Sequence, residues 1–285
     1  MGQDFTLLHI SDLHFGLKDK RECFLPAVGD KVLAVADALR PDALVVSGDL
    51  SIRALPEELE RAAAYLARFQ VPARIVIPGN HDARGDAGLA NFERIIGPTE
   101  PSLPIPGAML VGVDSTEEDA EEAAKGAERT TIGDWEKALR MSKGFVGSEQ
   151  YLRIAQDVHR AASGDVRIIV MHHHLVGIPG TGIDTDPLID SGDLLHLYLK
   201  WGIHLVLAGH KHRPWLWDVN GLRILHCGTS TSNRYKSGVL ENFYNVIRMR
   251  DGVLSAERVA LSTGAVKKLF SGPLTAPMVP EAHHE

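Results

Sequence analysis

Five short groups of residues have the types and spacing to do metal chemistry: Asp12-Leu13-His14, Gly48-Asp49, Gly79-Asn80-His81-Asp82, His172-His173-His174 and Gly209-His210-Lys211-His212. Carboxylates, neutral imidazoles and an amide oxygen form the mixed oxygen and nitrogen donor set that holds ions such as Mn, Fe or Zn. No thiol accompanies them, so a closed structural zinc site is not expected. In Asp12-x-His14 and His210-x-His212, alternation along an extended backbone points both side chains of each pair to one side. Gly48, Gly79 and Gly209 permit tight turns that bring the backbone close to a metal or a phosphate. The potential ligands are too many for one tetrahedral ion, so two ions are the economical reading. Two ions ~3.5–4 Å apart are the usual clamp for in-line displacement at phosphorus.

Each group directly follows a short apolar run. The runs at 5–10, 43–46, 74–77, 108–113, 166–171, 203–207 and 222–225 read as buried strands. Helical spacing marks 28–40 and 57–69, the second with Pro56 in its first turn, and further helices are expected at 149–162 and 193–201. The groups sit after the first, second, third, fifth and sixth runs. Sites in open α/β sheets form outside the carboxyl ends of the strands, so five loops can converge on one point. Beyond residue 222 the pattern changes: 242–250 and 253–261 read as an antiparallel meander turning at Asp251-Gly252. A single domain over 1–270 is expected, with an insertion around 117–147. A proline-containing segment, 271–285, follows as a loose tail or as an arm lying on a neighbour.

Bulk properties narrow the partners. Of 285 residues 44% are hydrophobic and 24% charged, an ordinary globular composition, and the formal net charge is −7. An acidic chain gains little from duplex nucleic acid or anionic lipid, so neither tight duplex binding nor membrane association is expected. Cys23 and Cys227 cannot build a disulfide framework, no apolar run approaches the ~18 residues of a membrane span, and no secretory signal is evident. A cytoplasmic location is the expectation. Residues 1–6 formally fit an N-myristoylation pattern, but a strand beginning at Phe5 makes chance the simpler reading. His9, His159, His196, His204 and His226 read as core or surface histidines rather than ligands.

In this order and context the groups resemble the calcineurin-like metallophosphoesterase superfamily. The motifs span residues 12–212 and the strand pattern extends the resemblance to about 261. The stretches Ile10-Ser11-Asp12-Leu13-His14-Phe15-Gly16 and Gly48-Asp49-Leu50 look most like the bacterial class III cyclic-nucleotide phosphodiesterases. The resemblance implies an α/β fold, a four-layer αββα sandwich of two mixed sheets flanked by helices. It implies one metal held by Asp12, His14 and His212, a second by Asn80, His172 and His210, and Asp49 bridging them. His81 would lie beside the scissile phosphate without binding metal. The family's His-His-Pro reads His172-His173-His174-Leu175 here, so His172 and His173 both qualify; His172, directly after the strand, is preferred.

The implied reaction is hydrolysis of a small-molecule phosphodiester such as a cyclic nucleotide. A metal-bridging hydroxide would attack, and His81 would stabilise the transition state or protonate the leaving group. Asp82 orients His81 or caps its turn. The insertion and the 177–186 loop are the expected pocket walls. Arg84, Arg234 and Lys236 could touch phosphate, although Arg84 reads first as an exposed loop arginine. A nuclease or phosphomonoesterase of the same superfamily is the alternative, then a non-catalytic scaffold of the kind found in an endosomal sorting coat. A homodimer is expected from the resemblance and the hydrophobic C-terminal arm.

Overall fold

The computed structural model describes residues 3–116, 144–181, 187–235, 238 and 240–279. Most of the 117–147 segment, residues 182–186, Lys236 and the last six residues lie outside that set. Among the described residues, fourteen strands and five helices follow in chain order. They are β1 (Phe5–Ile10), β2 (Leu17–Lys18), β3 (Arg21–Glu22), α1 (Pro26–Leu39), β4 (Ala43–Ser47), α2 (Pro56–Leu66), β5 (Ala73–Ile77), α3 (Gly88–Ile95), β6 (Ser102–Ile105) and β7 (Ala108–Gly112). Then come α4 (Ser148–His159), β8 (Val166–Val170), α5 (Ser191–Lys200), β9 (Leu205–Ala208), β10 (Trp215–Val219), β11 (Leu222–His226), β12 (Phe243–Arg250), β13 (Val253–Ala260) and β14 (Val266–Pro273).

The strands form two six-stranded sheets, in the orders β14-β13-β12-β1-β4-β5 and β10-β11-β9-β8-β7-β6. Both are mixed. β1, β4 and β5 run parallel, as do β7, β8, β9 and β11, while β12, β13 and β14 add antiparallel to the first sheet and β6 and β10 to the edges of the second. Side-chain alternation explains why the central runs are mostly apolar on both faces. Phe5, Leu7, Ala43 and Val45 meet Ile168, Val170, Leu205 and Leu207 between the sheets. Leu8, Ile10, Leu44 and Val46 turn the other way, onto Val32, Leu33, Leu59 and Leu66 of α1 and α2. Ile169 and Val206 face outward onto Ile154, Val158, Leu194 and Tyr198 of α4 and α5. Helices, sheet, sheet and helices thus enclose three apolar layers, the expected αββα sandwich.

Pro26 and Pro56 each occupy the first turn of their helices, where a missing N–H costs nothing. The meander carries a third strand: Ser271–Pro273, assigned above to the tail, pair with Val253–Ser255, so the sheet continues past residue 270. Among the described residues no helix is long and apolar enough to cross a membrane.

Candidate metal centre

The parallel strands of both sheets end on one side of the sandwich, and the loops beyond them keep bonding to each other. Asp12 N–H donates to the Gly48 carbonyl, His14 N–H to Asp49 and Phe15 N–H to Leu50, at 3.0, 3.0 and 2.7 Å. In the second sheet, Gly209 N–H donates to the His172 carbonyl at 3.1 Å. Asp12, His14, Asp49, His210 and His212 all adopt left-handed backbone, with φ between 50° and 74°. Asp and His tolerate that region better than most residues, yet each such residue carries conformational strain of order 1 kcal/mol. Strain concentrated on five of the seven expected ligands marks the loops as shaped for a purpose other than folding.

Gly48 and Gly79 let these loops touch. A Cβ on Gly48 would lie 2.5 Å from His172 Nδ1 and 2.9 Å from Gly79 Cα, and Gly48 itself has φ 91°. A Cβ on Gly79 would overlap Asp49 and come within 2.8 Å of His172 Cε1.

All seven expected ligands converge. Asp49 Oδ2 is 3.6 Å from His14 Nε2, and Asp49 Oδ1 is 3.3 Å from His172 Nε2. Asp12 Oδ1 is 3.2 Å from His212 Nε2. Asn80 Oδ1 lies 3.3 Å from His172 Nε2 and 3.0 Å from His210 Nδ1. His173 points elsewhere, its Nδ1 meeting Ser115 Oγ at 2.9 Å.

The donor set fits a cation. His14 and His172 place Nδ1 against the carbonyls of Ser51 (3.3 Å) and Ser47 (2.8 Å), and His212 Nδ1 bonds the Arg234 carbonyl. That second contact fixes which ring nitrogen is left to face inward, as around bound metals. His14 Nε2 and His212 Nε2 then oppose each other at 2.8 Å, two lone pairs that need positive charge between them. Asp12 Oδ2 and His210 Nε2 are buried and, among the described residues, have no hydrogen-bond partner. Ligand atoms of Asp12, His14, Asp49 and His212 lie within 4.8 Å of one another. Burial alone would raise the Asp49 carboxyl, but the facing His172 and His81 imidazoles hold it well below the usual range. Burial likewise disfavours a charged His172, yet Asp49 outweighs it and lifts that imidazole to about 9. The pocket therefore attracts positive charge, which a metal ion can supply.

His81 stands beside this group. Its Nδ1 meets the Ile52 carbonyl at 2.8 Å, and its Nε2 faces Arg234 Nη1 at 2.7 Å and Arg84 Nη2 at 3.2 Å. Burial, with these guanidiniums, depresses His81 to about 3 against the pull of Asp49. Asp82 does not touch His81's ring. It accepts from Leu50 N–H (2.9 Å), Ser51 N–H (2.8 Å), Ser51 Oγ (2.7 Å) and Gly79 N–H (3.0 Å), tying the loop after β4 to the loop after β5. Glu58 of α2 accepts from Ile52 and Arg53 N–H at 3.2 and 2.7 Å, fixing the turn that presents the Ile52 carbonyl. Sequence reasoning missed Glu58, whose only signal is an acidic residue in the first turn of α2. It also missed the Lys18–Arg21 hairpin, whose signal was a charged run just after the first motif.

Residues 5–214 match the model of the calcineurin-like phosphoesterases, and the chain belongs to that family. Among solved structures, purple acid phosphatase PPD1 from yellow lupin (Lupinus luteus) seeds is similar with TM-score 0.67 and 14% identity, over 95% of this chain and 54% of that one. This chain thus spans about half the length of the lupin enzyme. A dimetal phosphatase from Danio rerio gives 0.62 and 13%, over 92% and 98% of the two chains. GAP50, described as the anchor in the inner membrane complex of Plasmodium, gives 0.63 and 11%, over 96% and 89%. At such identities the likeness is one of fold. No curated protein matches the sequence.

Proposed function

We propose that this protein hydrolyses a small-molecule phosphodiester, with cyclic nucleotides one candidate class, using two metal ions. Asp12, His14 and His212 would hold one ion and Asn80, His172 and His210 the other, with Asp49 between. The observation that carries this reading is Asp49 itself, whose two oxygens face different imidazoles, as a bridging carboxylate requires. When bound, the ions would polarise the phosphoryl oxygens and acidify water at neutral pH. The chain's own groups do the rest. His81, fixed by the Ile52 carbonyl, presents Nε2 to the phosphoryl group or the leaving oxygen. Arg234 and Arg84 bring guanidiniums to the same point, where a phosphate is a better partner than a neutral imidazole. The donor types suit Mn, Fe and Zn alike.

The test is hydrolysis of bis-p-nitrophenyl phosphate beside p-nitrophenyl phosphate. The protein is stripped by chelation and reloaded with Mn²⁺, with Asp49→Ala as control. Faster turnover of the diester, lost in the control, is the expected result. A monoester preference would make the protein a phosphomonoesterase, and wild-type turnover by a metal-free Asp49→Ala protein would refute the metal assignment.

A further inference from the structure

The β2–β3 hairpin and the loop after β11 border an open cavity of about 560 Å³, lined by Lys18, Asp19, Arg21, Asn233, Arg234 and Tyr235 among others. Arg234 is the wall this cavity shares with the metal centre. Its Nη1 reaches His81 Nε2 at 2.7 Å, while its backbone carbonyl accepts from His212 Nδ1. Three cations thus face one carboxylate in a chain whose net charge is −7. Among the described residues neither Lys18 nor Arg21 has an ion-pair partner, although carboxylates are close: Glu22, the next residue, pairs with Arg61 at 3.0 Å instead.

The walls are fixed in place. Asn233 Nδ2 donates to the Glu22 carbonyl and Asn233 N–H to the Cys23 carbonyl, both at 3.0 Å. Tyr235 Oη bonds Asn242 Oδ1 at 2.8 Å, and Gly16 N–H bonds Glu22 Oε1 at 3.1 Å. A preformed, cation-rich cavity that opens beside a phosphoryl site selects for anionic groups carried by the same ligand.

We propose that this cavity is a subsite for a second phosphate group on the substrate, so that among small phosphoesters the protein favours those bearing two phosphates. The inference rests on the phosphoesterase reading and refines its substrate class. A cyclic nucleotide monophosphate, with its single charge at the reacting centre, would leave Lys18 and Arg21 unmatched.

The test uses the full chain loaded with Mn²⁺ and compares wild type with Lys18→Ala/Arg21→Ala, two exposed positions outside the ligand set. Calorimetric binding of thymidine 3′,5′-bisphosphate and thymidine 5′-monophosphate is measured alongside turnover of bis-p-nitrophenyl phosphate. The expected result is a bisphosphate bound about tenfold more tightly by wild type. The double variant should lose most of that preference while its turnover of the singly charged diester stays the same. Equal binding of the two nucleotides by wild type would overturn the proposal, as would an equal loss of both in the variant. A wild-type binding preference without any diester turnover would sink the phosphodiesterase reading and leave the anion subsite standing.

Discussion

Asp49 Oδ1 faces His172 and Oδ2 faces His14, while the His81 backbone N–H also donates to Oδ1, at 2.9 Å. Asp49→Asn should keep the shape and lose the charge. Elemental analysis should then show loss of both ions, because each loses the carboxylate it shares. His81→Ala should retain full metal content and lose turnover by about 10²–10⁴, the usual worth of a positioned proton donor or acceptor. Metal loss in His81→Ala would place that ring among the ligands and contradict the assignment. Asp82 makes a different prediction. Asp82→Ala leaves three buried backbone N–H groups, those of Leu50, Ser51 and Gly79, without their acceptor. Unfolding stability should fall by about 3 kcal/mol and metal affinity by about 10–100-fold, because the two ligand loops are no longer tied. Equal chemical denaturation midpoints for variant and wild type would refute that role. The ligands themselves were legible in the sequence, since donor type, spacing and position after an apolar run are local properties. The job of Asp82 was not. Leu50 and Ser51 lie 32 and 31 residues away in the loop after β4, so only the fold separates a capping carboxylate from one that orients His81.

The strands of the two large sheets that were hard to read share one property. β6, β10 and β14 are all edge strands, and each lacks the uniform apolar run of the central strands. β6 carries Pro104, tolerated only where a ladder N–H is dispensable. β14 carries Lys267 and Lys268, charges that blunt an open edge. β10 is only partly covered, with Asp218 exposed. The central parallel strands were legible because both faces are buried, which favours apolar residues at most positions. The element-scale prediction concerns the loops after β4 and β5, which approach until glycine is the only residue that fits between them. Gly79→Ala would drive a methyl group into Asp49, and overpacking of this kind costs about 1–3 kcal/mol. The larger effect should be on metal content, since the displaced group is the shared carboxylate. Gly85→Ala is the stricter control: it sits at φ 72°, so it bears a backbone strain that Gly79→Ala does not, but it has open space around its Cβ and no overlap. A Gly79→Ala protein that binds metal as well as the Gly85→Ala protein does would refute the close-approach argument.

The sandwich as a whole buries histidines outside the expected ligand set, and they tie its stability to pH. His204 precedes β9, at the end of the sheet opposite the ligand loops, and its Nδ1 accepts from Arg167 N–H at 3.0 Å. Burial, then Arg167 and Arg223, lower it to about 4; burial, then Arg258, lower His9 to about 3. Their ordinary value is about 6.5. Between the folded and unfolded values the unfolded chain holds a proton that the folded chain excludes. Stability is therefore fully present above about pH 6.5 and declines as pH falls, by about 1.4 kcal/mol per pH unit for each such histidine. The decline attributable to His204 should level off near pH 4, below which both states are protonated. The check is a series of denaturant titrations from pH 7.5 to 4.5, all with chelator present so that protons do not compete with metal. His204→Asn keeps an acceptor for Arg167 N–H but cannot titrate. Its stability at pH 7.5 should match wild type within about 1 kcal/mol, the scale of one hydrogen bond, and its slope below pH 6.5 should be shallower by about one proton. An unchanged slope would show that His204 charges freely in the folded protein, and that the layer beneath β8 and β9 is open to water where the packing has it closed.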